Sequence, residues 1–203
     1  MKPLRHHLCV LPQNYRPLSQ HTLEEFEYFQ YWQNQRYPFV FTRQPPGIEN
    51  SQLQLAIPYY NPATQQKIRL AFLLPKAGLQ LQALPTLNEI FPKAEKHWNT
   101  IGVYGSFCWQ YLTGERYVQA NSDLDLLFPY LNQSMVSIEN TVQQIKFKLQ
   151  LTVDGEIRFP GLGDCALYEL LNQKSQTILF KSTHALELVP REIVYASFPT
   201  LFC

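Results

Sequence analysis

The sequence predicts an α+β protein in two parts: a smaller α+β N-terminal domain over residues 1–84, and over residues 85–203 a mixed sheet with flanking helices. Three observations carry this expectation. The N-terminal part begins with one helical period and continues in β-branched and aromatic runs separated by Pro- and Gly-containing turns. The texture changes near residue 85, after a stretch rich in Leu, Ala and Pro. Beyond it, strand and helix signatures alternate.

In order along the chain, Thr22 and Glu25 have the spacing of a capping box, and Leu23, Phe26, Phe29 and Trp32 recur at near-helical intervals. They predict a helix over 19–36. A strand over 37–43 follows and is ended by Pro45-Pro46-Gly47; two more strands fall over 53–57 and 68–74, with a turn at Asn61-Pro62. The second part reads as a strand over 101–104, a Gly-Ser turn, a short helix over 107–112 and a strand over 124–128. Met135, Ile138, Val142, Ile145 and Leu149 form one apolar stripe, the core-facing side of a helix. Strands over 149–159, 177–181 and 185–189 complete the pattern.

The 203 residues carry 17 Lys+Arg against 16 Asp+Glu, a formal net charge of +1, which argues against a polybasic protein that gathers nucleic acid or anionic membrane by global charge. With 45% apolar and 14% aromatic residues the chain is too apolar to be disordered. Cys9, Cys108, Cys165 and Cys203 are widely spaced and are expected to be reduced, buried thiols. Pro12 cuts short the apolar N-terminal stretch, and no apolar run reaches the roughly 18 residues of a membrane span. A soluble, cytoplasmic protein is expected, with neither nucleic acid nor membrane as partner.

Only four of the acids are aspartates, Asp123, Asp125, Asp154 and Asp164, and residues 1–122 contain none. Asp is a common surface and turn residue, so its confinement suggests a local reason. Ser122-Asp123-Leu124-Asp125-Leu126-Leu127 supplies one. Alternate side chains of a strand share a face, which puts Asp123 and Asp125 on one side about 6–7 Å apart, with Leu124 and Leu126 on the other. Two such carboxylates repel unless a cation lies between them, and hard oxygen ligands with open positions favour Mg²⁺ shared with substrate phosphates. Upstream, in Val103-Tyr104-Gly105-Ser106, Gly105 allows close backbone approach and Ser106 places a hydroxyl beside free N–H groups at a helix start, an arrangement suited to phosphate.

The combination of strand, Gly-Ser, helix and a second strand carrying Asp-x-Asp resembles the nucleotidyltransferase superfamily that includes DNA polymerase β. The longer stretch from Val103 to Gly114, with Asp123 to Leu127, is more specifically similar to the malonate decarboxylase holo-acyl-carrier-protein synthases, also called phosphoribosyl-dephospho-CoA transferases. Asp154-Gly155-Glu156, Phe159-Pro160-Gly161, Tyr168-Glu169-Leu170 and Ile178-Leu179-Phe180-Lys181 extend the likeness. So, less specifically, do the segments 38–43 and 67–72. Cys108, where a small residue such as alanine is expected, and Tyr168, where tryptophan is expected, depart from the family pattern.

The resemblance implies a nucleotidyltransferase-like sheet and a transfer reaction. The donor would be 2′-(5″-triphosphoribosyl)-3′-dephospho-CoA, the acceptor a serine on the acyl-carrier subunit of malonate decarboxylase, and the by-product pyrophosphate. Asp123 and Asp125 would hold Mg²⁺, and Gly105 and Ser106 the terminal phosphates. The superfamily's third carboxylate would be Asp154 or Glu156. Either serves if the strand runs straight through, whereas a tight turn at Asp154-Gly155 would make Asp154 structural. Glu156 is also a candidate to take the serine proton. Asp164, beside Gly163, reads as a loop turn residue. Lys181 is a candidate triphosphate contact; Arg43, Lys67 and Arg69 read most simply as solvated charges, Trp109 as core, and the histidines carry no assigned chemistry. The rival readings are a minimal nucleotidyltransferase using ATP or another NTP on a protein, RNA or small molecule, and a non-catalytic nucleotide-binding module.

Overall fold

The computed structural model describes residues 3–61 and 66–202; the turn expected at Pro62 and the Cys203 thiol lie outside the described residues. The chain divides into two compact units, Met1–Leu84 and Pro85–Cys203.

The first unit contains β1 (Leu8–Val10), α1 (Leu23–Asn34), β2 (Phe39–Phe41), β3 (Gln52–Asn61), β4 (Gln66–Pro75) and β5 (Gln80–Gln82). The strands form one antiparallel sheet in the order β4-β3-β2-β1-β5. The helix starts later than its sequence period suggests because Thr22 and Glu25 form the reciprocal capping box. Its apolar side buries Phe29 and Trp32 completely. The Phe29 ring lies 5.4 Å from Phe39 and 4.8 Å from Phe72, and Trp32 Nε1 donates to the Pro38 carbonyl at 3.1 Å. The strands β1 and β5, three residues each, are too short to show alternation in sequence.

The second unit contains α2 (Leu87–Ile90), β6 (Gly102–Tyr104), α3 (Gly105–Thr113), β7 (Leu124–Pro129), α4 (Met135–Leu149), β8 (Val153–Phe159) and β9 (Gly163–Ala166). It continues with α5 (Leu167–Leu171), β10 (Thr177–Lys181), β11 (Leu186–Pro190) and α6 (Arg191–Ser197). Its six strands form a mixed sheet in the order β11-β10-β9-β8-β7-β6, with β7 and β8 parallel and the other neighbours antiparallel. The molecule is thus an α+β protein with two sheets. Parallel neighbours need a crossover, and α4 provides it. Ser134 caps the start of α4 by accepting from Ser137 N, and Met135, Ile138, Val142 and Ile145 form its buried side, as the sequence stripe predicts. Each such side chain contributes roughly 1.5–3 kcal/mol by leaving water. Phe159 packs with Tyr130, Phe180 and Phe198 at centroid distances of 4.7–5.7 Å.

One buried cation was not singled out in the sequence. Arg191, 7% exposed, lies where the chain turns from β11 into α6. Its guanidinium donates to the carbonyls of Leu170, Asn172, Ser175 and Glu169 and to the Tyr195 hydroxyl. It thereby satisfies the free carbonyls at the end of α5, a task for a planar fork of donors that an ammonium does not match. No helix among the described residues is long and apolar enough to cross a membrane.

Two stability changes are expected in urea unfolding. Arg191→Lys leaves several buried carbonyls unpaired and lowers stability by about 2–3 kcal/mol. Gln150 ends α4 in the left-handed region at φ 54°, so Gln150→Gly, which removes that strain, raises stability by about 0.5–1 kcal/mol with an unchanged m-value.

Candidate active site

The register of three strands builds the site. In the antiparallel pair β6·β7, Tyr104 faces Asp125; in the parallel pair β7·β8, Asp125 faces Asp154 and Leu127 faces Glu156. Partners in register point to the same side of a sheet, so Asp125 and Asp154 stand side by side on neighbouring strands about 4.8 Å apart. Asp123 lies just before β7, where Leu124 N donates to the Thr152 carbonyl at 2.8 Å and the Thr152 hydroxyl donates to Asp123 Oδ1. Asp123 and Asp154 are exposed and Asp125 is half-buried. The apolar alternates Leu124 and Leu126 are fully buried, and that burial fixes the direction in which the acids point.

The β8 strand runs unbroken through Asp154-Gly155, so there is no hairpin at that dipeptide. Asp154 Oδ1 accepts from Gly155 N at 2.7 Å. A Cβ on Gly155 would lie 2.2 Å from the Leu126 carbonyl oxygen, so the missing side chain is what allows β8 to close on β7 here.

Gly105 opens α3 with φ +68°, and a Cβ there would lie 1.9 Å from Asp125 Oδ2. The carboxylate therefore rests directly against the backbone at the helix start. Tyr104, the residue preceding the helix, makes no side-chain cap to the first turn of α3, and Ser106 is half-buried in that turn. Amide donors and a hydroxyl are thus set beside the carboxylates at the positive end of the helix.

Further along the same face the charges are paired. Lys181 Nζ donates to Glu156 Oε1 at 2.7 Å, reaching from β10 across β9, where Ala166 stands opposite Glu156. Asp164 corrects the sequence expectation. Far from being a turn residue in a loop, it lies within β9, is 1% exposed, and accepts from Arg158 Nε at 2.7 Å and Nη2 at 2.9 Å. A buried carboxylate needs such a partner. The sequence does hold a signal for this pairing: Arg158 and Asp164 flank Phe159-Pro160-Gly161 at the spacing of cross-strand partners in a hairpin.

The remaining candidates divide simply. Trp109 is core; Arg43, Lys67 and Arg69 are exposed on the N-terminal unit. Cys9, Cys108 and Cys165 are free and buried, and burial raises the first two thiols to about 12 and pushes Cys165 upward as well, so none offers a thiolate near neutrality.

Clustered carboxylates beside a helix start are the kind of donor set that phosphoryl transfer uses. The model of the phosphoribosyl-dephospho-CoA transferase MdcG C-terminal domain matches residues 69–192, more than half of the chain, and the chain belongs to this family. A phosphoribosyl-dephospho-CoA transferase of Xanthomonas axonopodis pv. citri is 33% identical over 63% of this chain and 59% of its own length. One from Xanthomonas euvesicatoria pv. vesicatoria is 32% identical over 60% and 56%. A third, from Bradyrhizobium diazoefficiens, is 28% identical over 79% and 76%. The chain spans less than two thirds of the length of the two Xanthomonas proteins. No solved structure matches it significantly.

Two glycines with nearly the same backbone angle separate strain from contact. A methyl group on Gly114 (φ +74°) would meet nothing within 4 Å, whereas one on Gly105 would meet Asp125. In urea unfolding, Gly114→Ala is expected to cost the about 1–2 kcal/mol of a left-handed L-residue, and Gly105→Ala more than that, because it must also expel the carboxylate.

Proposed function

We propose that the chain transfers the 2′-(5″-phosphoribosyl)-3′-dephospho-CoA group from its triphosphoribosyl donor to a serine of the apo acyl-carrier subunit of malonate decarboxylase. Family membership supports the substrate class. The observation that carries the chemistry is the register that sets Asp123, Asp125 and Asp154 on one face beside the start of α3. The second unit is read as a nucleotidyltransferase-like catalytic domain on the same grounds. Free buried thiols suit the reducing cytoplasm.

The serine Oγ bonds to the phosphorus next to the ribose, the bond from that phosphorus to its bridging oxygen breaks, and pyrophosphate leaves with the electron pair. The donor set fits Mg²⁺: the acids are hard oxygen ligands on one face, and one of them is pressed against backbone that no side chain can enter. Asp123 and Asp125 would hold the ion, which when bound neutralises charge on the leaving pyrophosphate and eases ionisation of the serine. The amides and the Ser106 hydroxyl at the start of α3 would hold the terminal phosphates. Asp154, exposed and level with Asp125, is read as the third carboxylate in preference to Glu156, whose carboxylate is held by Lys181. In this reading Asp154 would also accept the serine proton and pass it to solvent.

Incubation of the chain with Mg²⁺, the triphosphoribosyl donor and apo acyl-carrier subunit should raise the mass of the carrier by one prosthetic group per serine. Asp123→Asn, Asp125→Asn and Asp154→Asn should each slow this at least about a hundredfold while remaining folded. Modification of the carrier by ATP in place of the dephospho-CoA donor, or normal transfer by Asp125→Asn, would sink this reading.

A further inference from the structure

We propose that Lys181 masks Glu156 from the metal-facing carboxylates, so that three acids, and not four, are presented to the ion. The inference rests on the transferase reading for the assignment of Asp123, Asp125 and Asp154. Glu156 follows Asp154 by two residues on an unbroken strand and lies on the same face, about 6–7 Å away along the backbone. Its longer side chain would span much of that gap. A fourth carboxylate would add ligand oxygens and negative charge, the two features that tighten a divalent-ion site. An ion held that way depends less on substrate phosphates, although in this reaction the phosphates must share it.

The fold turns Glu156 away by giving it a dedicated cation. Arg158 grips Asp164 through two nitrogens, and Lys181, the β10 partner of Asp164, reaches across β9 to Glu156 at 2.7 Å. Glu156 is 6% exposed, whereas Asp154, two residues earlier, is exposed. Each of these two acids is thus paired with a base of the same sheet, beside the carboxylate group. A purely structural ion pair would leave metal binding indifferent to its loss.

Mn²⁺ binding to the whole chain without donor, read by electron paramagnetic resonance of the free ion, tests the inference. Lys181→Met should bind Mn²⁺ about tenfold more tightly than the wild type, and Glu156→Gln/Lys181→Met should return to within about twofold of it. Should Lys181→Met fail to fold, Lys181→Gln removes the charge while keeping a hydrogen-bond donor. Wild-type Mn²⁺ affinity in the single variant, or unrelieved tight binding in the double variant, would overturn the masking role. Unchanged Mn²⁺ affinity in Lys181→Met together with a raised KM for the triphosphoribosyl donor would assign Lys181 to the donor phosphates and overturn it too. If the expected Mn²⁺ pattern is found in a protein that transfers nothing to the carrier, masking stands and the transferase reading falls.

Discussion

The site depends on the parallel pairing of β7 with β8. Asp125 and Asp154 come from strands separated by a complete helix, and only a crossover connection brings such strands together in one direction. The pairing is held by side chains that point away from the acids. Leu124, Leu126 and Ile157 are buried, and α4 adds its own buried stripe. Because side chains alternate, a slip of one residue would send Asp154 into the core and a hydrophobic residue to the surface. The cost of burying a lone carboxylate far exceeds any gain from such a slip, so hydrophobic burial sets the geometry of the charges.

Near-neutral total charge conceals a sharp local division. On the first part of the carboxylate face the strand register sets acid against acid and phenol: Asp125 faces Asp154 on one side and Tyr104 on the other. Two residues further along β8 the pattern reverses, and each acid is matched by a base: Glu156 with Lys181, Asp164 with Arg158. The same strand thus passes from a region where acid stands beside acid to one where each acid has a base. That contrast lies in the placement of side chains and is invisible to any count over the chain.

Much of this was legible in sequence, and the failures have identifiable causes. Strong periodicity located α4 and β10, and α1 was found with its start placed four residues early, although the capping box that sets the true start was recognised. The close approach of Gly105 to a ligand group was anticipated, although the group it meets in the fold is the carboxylate of Asp125. Short elements such as β1, β5 and β9 escaped notice because three or four residues carry too little alternation to register. Asp164 was misread for the same reason: its strand is four residues long and opens on a glycine, so local signals pointed to a turn. The partners of Glu156 and Arg191 depend on strands and helix ends brought together from 16 to 25 residues away, which no local window contains.

The contact between Gly105 and Asp125 also constrains how this chain can change over generations. A methyl group at 105 and a carboxylate at 125 claim the same space, so neither position drifts independently of the other. A lineage that gave up the acid would release position 105 from half of its constraint, leaving only the left-handed backbone to favour glycine. One that kept the acid would retain both reasons for the glycine. The two positions are therefore expected to change together, and the loss of glycine at 105 would point to a copy in which the neighbouring carboxylate had already ceased to matter.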